Sequence, residues 1–326
     1  MVSLITGGAG FIGSHLADRL IASGEQVIVL DDLSTGRRDN IAHLEGHPRF
    51  RFVYGSVLDT EVVATLVREA DLIYHLAAAV GVRRILEEPV QSIITNVEGT
   101  ALVLREAYRW GKKVFVASTS EVYGKNDRTG LGEADLSVLG PMETTRWLYA
   151  VTKAADECLA LAYWKDRGLP VIVGRFFNTY GPRQTGAYGM VIPRFVGQAL
   201  RGEPLTVFGD GNQTRCFSYV DDVTAAVIAL MQTPDAVGQI VNIGNEREVT
   251  IRYLAEIVLE ITRSDSPITF VDPRLVYPHG FDDMRRRVPD ISKLRSLIGW
   301  VPETPIEEGV RATIEYVQRP LSAVAD

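Results

Sequence analysis

The chain has 326 residues, 46% of them hydrophobic and 23% charged, the composition of a globular protein with room for one large domain or two modest ones. Its 34 basic and 41 acidic side chains give a formal charge of −7, with no like-charge block denser than Arg285-Arg286-Arg287, so the basic footprint of a nucleic-acid-binding protein is missing. Two distant cysteines, Cys158 and Cys216, argue against a disulfide framework or a structural zinc site; with no apolar run near the ~20 residues of a membrane span and no basic leader in MVSLITGGAGFIG, a reducing, cytoplasmic setting is expected.

Strand and helix signals alternate along the first half. Residues 2–8 are a short apolar run that stops at glycines, and residues 11–24 carry helical periodicity closing on Gly24. Strands are predicted over 26–32 and 50–55, a helix over 62–70, a strand over 71–78, a long helix over 92–110 and a strand over 112–119. A further helix, 148–168, leads into a strand at 169–178. Short joins between continuous apolar strands predict an α/β protein with a doubly wound parallel sheet covered on both faces. After residue 180 prolines and glycines punctuate shorter elements, although 239–244 reads as one more buried strand and 250–262 and 305–318 as amphipathic helices. The expected division is a sheet domain over 1–178, with returns around 217–247, and a smaller α/β lobe over 179–326.

The first strand-to-helix turn reads Gly7-Gly8-Ala9-Gly10-Phe11-Ile12-Gly13, a G-x-x-G-x-x-G loop. Small residues let the backbone approach a pyrophosphate, and the helix N-terminus offers free N–H groups and its positive dipole end. Asp31, followed by Asp32, ends the second strand, where a carboxylate accepts hydrogen bonds from ribose hydroxyls and repels a 2′-phosphate. The context predicts a Rossmann-type domain that holds NAD rather than NADP.

Tyr149 and Lys153 lie four apart on a predicted helix and share a face. The lysine charge is expected to lower the pKa of the tyrosine hydroxyl, which can then take a proton from a sugar alcohol as hydride leaves the same carbon. Thr119, ending a neighbouring strand, is placed to hydrogen-bond that oxygen.

The set TGGAGFIGSHL, HLAA, TNVEGT, ASTSEVYG, YAVTK, RFFNTYGPR and GDGNQTRCFSYVDD resembles the extended short-chain dehydrogenase/reductases that act on nucleotide sugars, from residue 2 to about residue 318. The resemblance implies tightly held NAD and a C-terminal lobe for a nucleotide diphosphate sugar. By matching positions, Tyr149 is the implied base, Lys153 its partner and Thr119 the assisting hydroxyl. Gly7, Gly10, Phe11, Ile12, Gly13, Asp31, Asp32, Leu76, Ala77 and Lys153 are the implied cofactor residues. Ser120, Asn178, Arg183 and Arg215 fall on the substrate side, with Phe208 flanking the base. Helices 92–110 and 148–166 resemble the pair that forms a four-helix dimer interface, which implies a homodimer.

Glu121 divides the members. All first oxidise the sugar at C4; a simple 4-epimerase then needs no extra carboxylate, and a 4,6-dehydratase resembles TDEVYG, where this chain has Ser120 in place of the aspartate. STSEVYG instead resembles the uronic-acid decarboxylases of the UDP-xylose synthase group, for which a 4-keto glucuronate is a β-keto acid that loses carbon dioxide readily. RRRVPD at 285–290 resembles their RKPD segment and puts Arg287 near the substrate carboxylate, and QTRCF lacks the RDF aspartate common in epimerases. HLAAAVGVRR at 75–84 is closer to the epimerase loop, so a UDP-sugar 4-epimerase is the alternative and a dehydratase acting on another C–O bond a third. The competing structural reading leaves Glu121 a solvated strand-end charge and Arg287 a surface member of its triplet. A non-catalytic NAD sensor on this fold is opposed by the intact Thr119, Tyr149 and Lys153. His15 and His75 are expected to pack or hydrogen-bond locally, and Cys158 to lie in the core.

Overall fold

The computed structural model describes residues 1–81, 85, 87–144, 147–186, 190–272, 285–299 and 301–319. The first half runs β1 (Val2–Thr6), α1 (Phe11–Ala22), β2 (Gln26–Asp31), β3 (Phe50–Tyr54), α2 (Thr60–Glu69), β4 (Leu72–His75), α3 (Pro89–Trp110), β5 (Lys113–Thr119), α4 (Leu148–Arg167) and β6 (Val171–Phe176). There follow β7 (Thr179–Tyr180), α5 (Val191–Leu200), β8 (Leu205–Phe208), β9 (Thr214–Cys216), β10 (Ser218–Tyr219), α6 (Val220–Gln232), β11 (Ile240–Ile243), β12 (Glu248–Thr250), α7 (Ile251–Thr262), β13 (Ile268–Val271), α8 (Ser292–Ile298) and α9 (Ile306–Gln318).

Seven strands pair in the order β11-β6-β5-β4-β1-β2-β3, every pair parallel. Such strands are buried on both faces, which is why they read as apolar runs rather than alternating ones. On one face α1, α6 and α8 pack around Leu16, Leu20, Val227 and Leu294. On the other, α2, α3 and α4 pack around Leu66, Val103, Leu104 and Ala160. The chain reverses direction of build between β1 and β4, so their carboxyl ends flank a crevice, the place where ligands sit in open α/β sheets.

The smaller lobe has its own core, Phe195, Leu205, Leu254, Val258 and Val310, formed by α5, α7 and α9 against the parallel pair β8–β13. Between the lobes the chain returns: β11 extends the large sheet beside β6, and α6 packs on α1. The α6 helix lies in the stretch around 217–247 where a strand and helix return is expected, whereas α5 falls among the short punctuated elements that carried no helix prediction. In α6 the signal was present, because Asp221 and Asp222 in the first turn complement the helix dipole ahead of an apolar run. Cys158 corrects another expectation: it is exposed on the outward face of α4, not in the core.

Candidate active site

The carboxyl ends of β1, β4, β5 and β6 open into one cavity of about 450 Å³, and Gly7, Asp31, Thr119, Tyr149, Asn178 and Arg287 all line it. At its floor the glycine loop leaves room only for backbone. Gly7 has φ +72°, and a Cβ there would lie 2.7 Å from the Ala77 amide nitrogen. A Cβ on Gly13 would collide with the Gly7 carbonyl oxygen and sit 2.7 Å from Gly8 Cα. The first turn of α1 has no side-chain cap, so its N–H groups face the cavity unclaimed by the helix. At the end of β2, Asp31 Oδ2 accepts from the Ala9 amide at 2.9 Å and Oδ1 from the Leu33 amide at 2.8 Å. Burial raises its pKa, opposed by those amides. Asp32 stands beside it, accepting from the Ser34 amide at 3.0 Å. A Gly-built cradle, an uncapped helix end and two carboxylates fit a dinucleotide diphosphate. Gly13→Ala is expected to weaken NAD binding by at least tenfold in calorimetry and to lower stability by roughly 1–3 kcal/mol, since an overpacked methyl must push strand and helix apart.

The reactive end gathers Thr119, Ser120, Glu121, Tyr149, Lys153 and Arg287. Thr119 Oγ1 accepts from the Glu121 amide at 3.2 Å, which leaves its own proton to donate into the cavity. Ser120 is buried at the turn, and Tyr149 and Lys153 line the opposite wall from α4. Glu121 is half-buried and not alone: Arg287 Nη1 donates to its Oε1 at 2.6 Å, and the arginine side chain is only 5% exposed. The segment carrying Arg287 is fixed by backbone pairing, Leu131 N to Val288 O at 2.8 Å and Asp290 N to Leu131 O at 2.9 Å. Arg287 is therefore a buried partner of Glu121, unlike Arg286, which is exposed and paired with Glu248.

The Tyr149 hydroxyl is pushed above the usual tyrosine range, by burial first and then by the negative charges of Glu121 and Asp156. On the same helix Lys153 Nζ donates to Asp156 Oδ2 at 3.1 Å.

Asn178, at φ 38°, turns the chain off β6 and ties the lobes together by donating to the Cys216 carbonyl at 2.9 Å. Arg183 reaches the cavity, but its Nη2 pairs with Asp18 on α1 at 2.7 Å, at the cofactor-loop helix. Phe208 and Arg215 lie outside the cavity lining: the Arg194 guanidinium stacks 4.5 Å over the Phe208 ring, and Arg215 Nη1 donates to the Thr214 carbonyl at 2.7 Å. In the loop at 75–84, residues 82–84 lie outside the described residues. His15 Nε2 donates to the Pro182 carbonyl oxygen, and His75 is held neutral between Thr6 and Thr100, its pKa pushed down to about 3 by burial and by Lys153.

Sequence reasoning missed the second row of the site. Ser118 donates to Glu157 at 2.5 Å, and Glu157 accepts two bonds from Arg175, at 2.8 and 2.7 Å. Arg175 in turn lies 4.7 Å over the Tyr123 ring. Two adjacent carboxylates, Asp156 and Glu157, one turn beyond Lys153 on a largely apolar helix, were the available signal.

The family model described as GDP-mannose 4,6 dehydratase matches residues 4–313. The chain belongs to that family, the nucleotide-sugar branch of the extended short-chain dehydrogenase/reductases. Relatives share this frame. A UDP-N-acetyl-alpha-D-glucosaminuronate decarboxylase of Bacillus cytotoxicus is 42% identical over 96% of each chain. UDP-glucuronic acid decarboxylase 1 of Danio rerio is 40% identical over 99% of this chain and 74% of its own length. Among solved structures, a UDP-glucuronic acid 4-epimerase from Bacillus cereus in complex with UDP-glucuronic acid and NAD superposes with a TM-score of 0.87, at 31% identity, over 97% of this chain and 99% of its own. No helix among the described residues is long and apolar enough to cross a membrane.

Proposed function

We propose that this protein is an NAD-dependent UDP-hexuronate decarboxylase that works through a 4-keto sugar, with UDP-glucuronate as the lead substrate. The pairing of half-buried Glu121 with buried Arg287, in the cavity that Tyr149 also lines, carries this reading. A guanidinium held there offers two parallel N–H donors to a carboxylate, the geometry a uronate needs and a neutral sugar does not. Relatives named as uronate decarboxylases at 40–42% identity support it.

In this reading NAD, when bound, supplies the hydride acceptor for C4 of the sugar. Tyr149 takes the proton of the C4 hydroxyl, and Thr119 steadies that oxygen by donating a hydrogen bond. Lys153 carries positive charge to the same wall and holds the cofactor's ribose. Arg287 binds the C6 carboxylate of the substrate, and Ser120 and Asn178 orient the sugar and diphosphate. The 4-keto uronate is a β-keto acid, so the carbon–carbon bond to the carboxyl breaks with the electron pair delocalised onto the C4 oxygen. Glu121, displaced from Arg287 by the substrate carboxylate, is placed to take up a proton from solvent water and relay it to C5 of the enolate that the departing carbon dioxide leaves. Arg183, Arg215 and Phe208 are assigned to the nucleotide end on resemblance alone.

A second reading, 4-epimerisation of the same sugar, is favoured by the solved neighbour that holds UDP-glucuronic acid. An NMR time course of the protein with NAD and UDP-glucuronate, repeated with its 2-acetamido analogue, separates them. Loss of the carboxyl carbon as carbon dioxide is the expected result; UDP-galacturonate with the carboxylate retained would overturn the reading in favour of epimerisation.

The reading includes a cytoplasmic homodimer. Val151, Ala155, Cys158 and Ala162 recur at helical spacing on the exposed side of α4, beside Ile93 and Tyr108 exposed on α3. Such a two-helix apolar face, doubled by a two-fold axis, gives a four-helix interface. Sedimentation is expected to give the mass of two protomers, and Val151→Glu the mass of one; a monomeric wild type would overturn the assembly.

A further inference from the structure

Asn242 interrupts an apolar strand. It is fully buried on β11, in register with Arg175 on β6, between Val241 and Ile243. An enclosed amide is costly unless each of its groups is bonded. Here each is. Asn242 Oδ1 accepts from the Tyr123 hydroxyl at 2.7 Å, and Nδ2 donates to the Leu131 carbonyl at 2.7 Å and the Asp290 carbonyl at 3.1 Å. Its backbone N–H, on the edge strand of the large sheet, donates to Glu133 Oε1 at 2.8 Å. These partners belong to the segments that carry Glu121 and Arg287. Tyr123 closes the short turn Ser120–Tyr123, in which Glu121 sits. Asp290 follows Arg287 on the same strap, and Leu131 is the residue to which that strap is paired: its amide donates to the Val288 carbonyl and its carbonyl accepts from the Asp290 amide. One side chain thus joins the turn of the carboxylate to the strap of the guanidinium, 119 residues from Tyr123 and 48 from Asp290. The surroundings hold the partners in place. Val122, Tyr123, Leu131 and Phe177 form a small core of their own, and Arg175 lies over the Tyr123 ring while donating to the Glu133 carbonyl at 3.2 Å.

We propose that Asn242 is a positioning residue that fixes Glu121 and Arg287 relative to each other and so sets the preference for a uronate. This rests on the functional reading above. The amide suits the task because it offers two donors and an acceptor from one short side chain. Leucine fills a similar space but withdraws a partner from the Tyr123 hydroxyl and from two carbonyls, and aspartate turns an anionic oxygen toward those carbonyls. Either change frees the strap from the turn at the point where the two are tied, and Arg287 moves with the strap.

The test compares wild type with Asn242→Leu and Tyr123→Phe, each loaded with NAD, by calorimetry with UDP-glucuronate and UDP-glucose. In Asn242→Leu, binding of UDP-glucuronate is expected to weaken by roughly tenfold or more, and binding of UDP-glucose by no more than about threefold, since a misplacement of about 1 Å spoils a directed contact and leaves the rest of the site intact. Tyr123→Phe removes one of the three side-chain bonds and keeps the ring. It is expected to move the same ratio in the same direction by less, and it carries the test should Asn242→Leu not fold. In the Arg287→Met background Asn242→Leu is expected to add little further loss for UDP-glucuronate, because the group it positions is gone. An equal loss for both sugars, an unchanged ratio in both variants, or a full loss that persists without Arg287 would overturn the proposal and leave Asn242 a part of the core. A wild type that releases no carbon dioxide and binds the two sugars alike sinks the functional reading and this inference together. A wild type that prefers the uronate, with variants that keep the preference, sinks the inference alone.

Discussion

Tyr149→Phe is expected to abolish 4-keto-sugar formation, with a fall of roughly 10²–10⁴ in rate, while NAD binding stays within a few-fold of wild type. The phenylalanine ring keeps the shape of the α4 wall, so what is lost is one oxygen. That oxygen is the only group in the proposed mechanism that removes the C4 proton. Thr119 cannot replace it, because a neutral threonine hydroxyl is a far weaker base and its oxygen already accepts the Glu121 amide. Absorbance near 340 nm after adding UDP-glucuronate measures the chemistry, and equilibrium dialysis measures NAD. Full turnover by the variant would end the assignment of Tyr149 as base. A wild type that binds NAD yet never reduces it would instead favour a sensor. Because burial and two carboxylates hold the Tyr149 hydroxyl above its ordinary value, the rate for wild type is expected to rise toward alkaline pH as the tyrosinate becomes accessible.

How far the sequence carried this picture depended on the distance over which each feature is encoded. The parallel strands were readable because each is a continuous apolar run, doubly covered, and needs no partner to be recognised. The glycine loop and the carboxylate at the end of β2 are local as well, one steric and one fixed by its place at a strand end. Tyr149 and Lys153 share a helix face, so spacing alone brought them together. Their electrostatics were not readable in the same way. A lysine four residues from a tyrosine predicts a lowered phenol pKa, but the burial of the hydroxyl and the nearby Glu121 and Asp156 carboxylates, which push the other way, are set by the fold. The partnership of Glu121 with Arg287 spans 166 residues and depends on the backbone bridge between Leu131 and Pro289, which no local pattern announces. Phe208 and Arg215 are placed at the nucleotide end by motif position; in the fold the Arg194 guanidinium lies over the Phe208 ring and Arg215 Nη1 donates to the Thr214 carbonyl.

Arg287→Met is expected to remove the preference for a uronate, with a loss of roughly 10²-fold or more in kcat/KM for UDP-glucuronate, the scale of truncating one member of a buried charge pair. Two effects add. The substrate carboxylate loses its cation, and Glu121 is left facing an apolar side chain, so its ionised form is disfavoured and its proton is held where it must be delivered. Calorimetry separates these from simple misfolding. Binding of UDP-glucuronate is expected to weaken far more than binding of UDP-glucose, which has no carboxylate to lose; an equal loss for both would make Arg287 structural. Glu121→Gln gives the complementary outcome. It leaves the arginine for the substrate, so binding holds, and it slows carbon dioxide release far more than NAD binding. The double variant decides whether the two act as one unit. If they are coupled, Glu121→Gln costs much less in the Arg287→Met background than in wild type, because the charge it removes has already lost its partner. Additive losses would mean that each residue serves the substrate separately, and that the ion pair only fills the space the uronate later occupies.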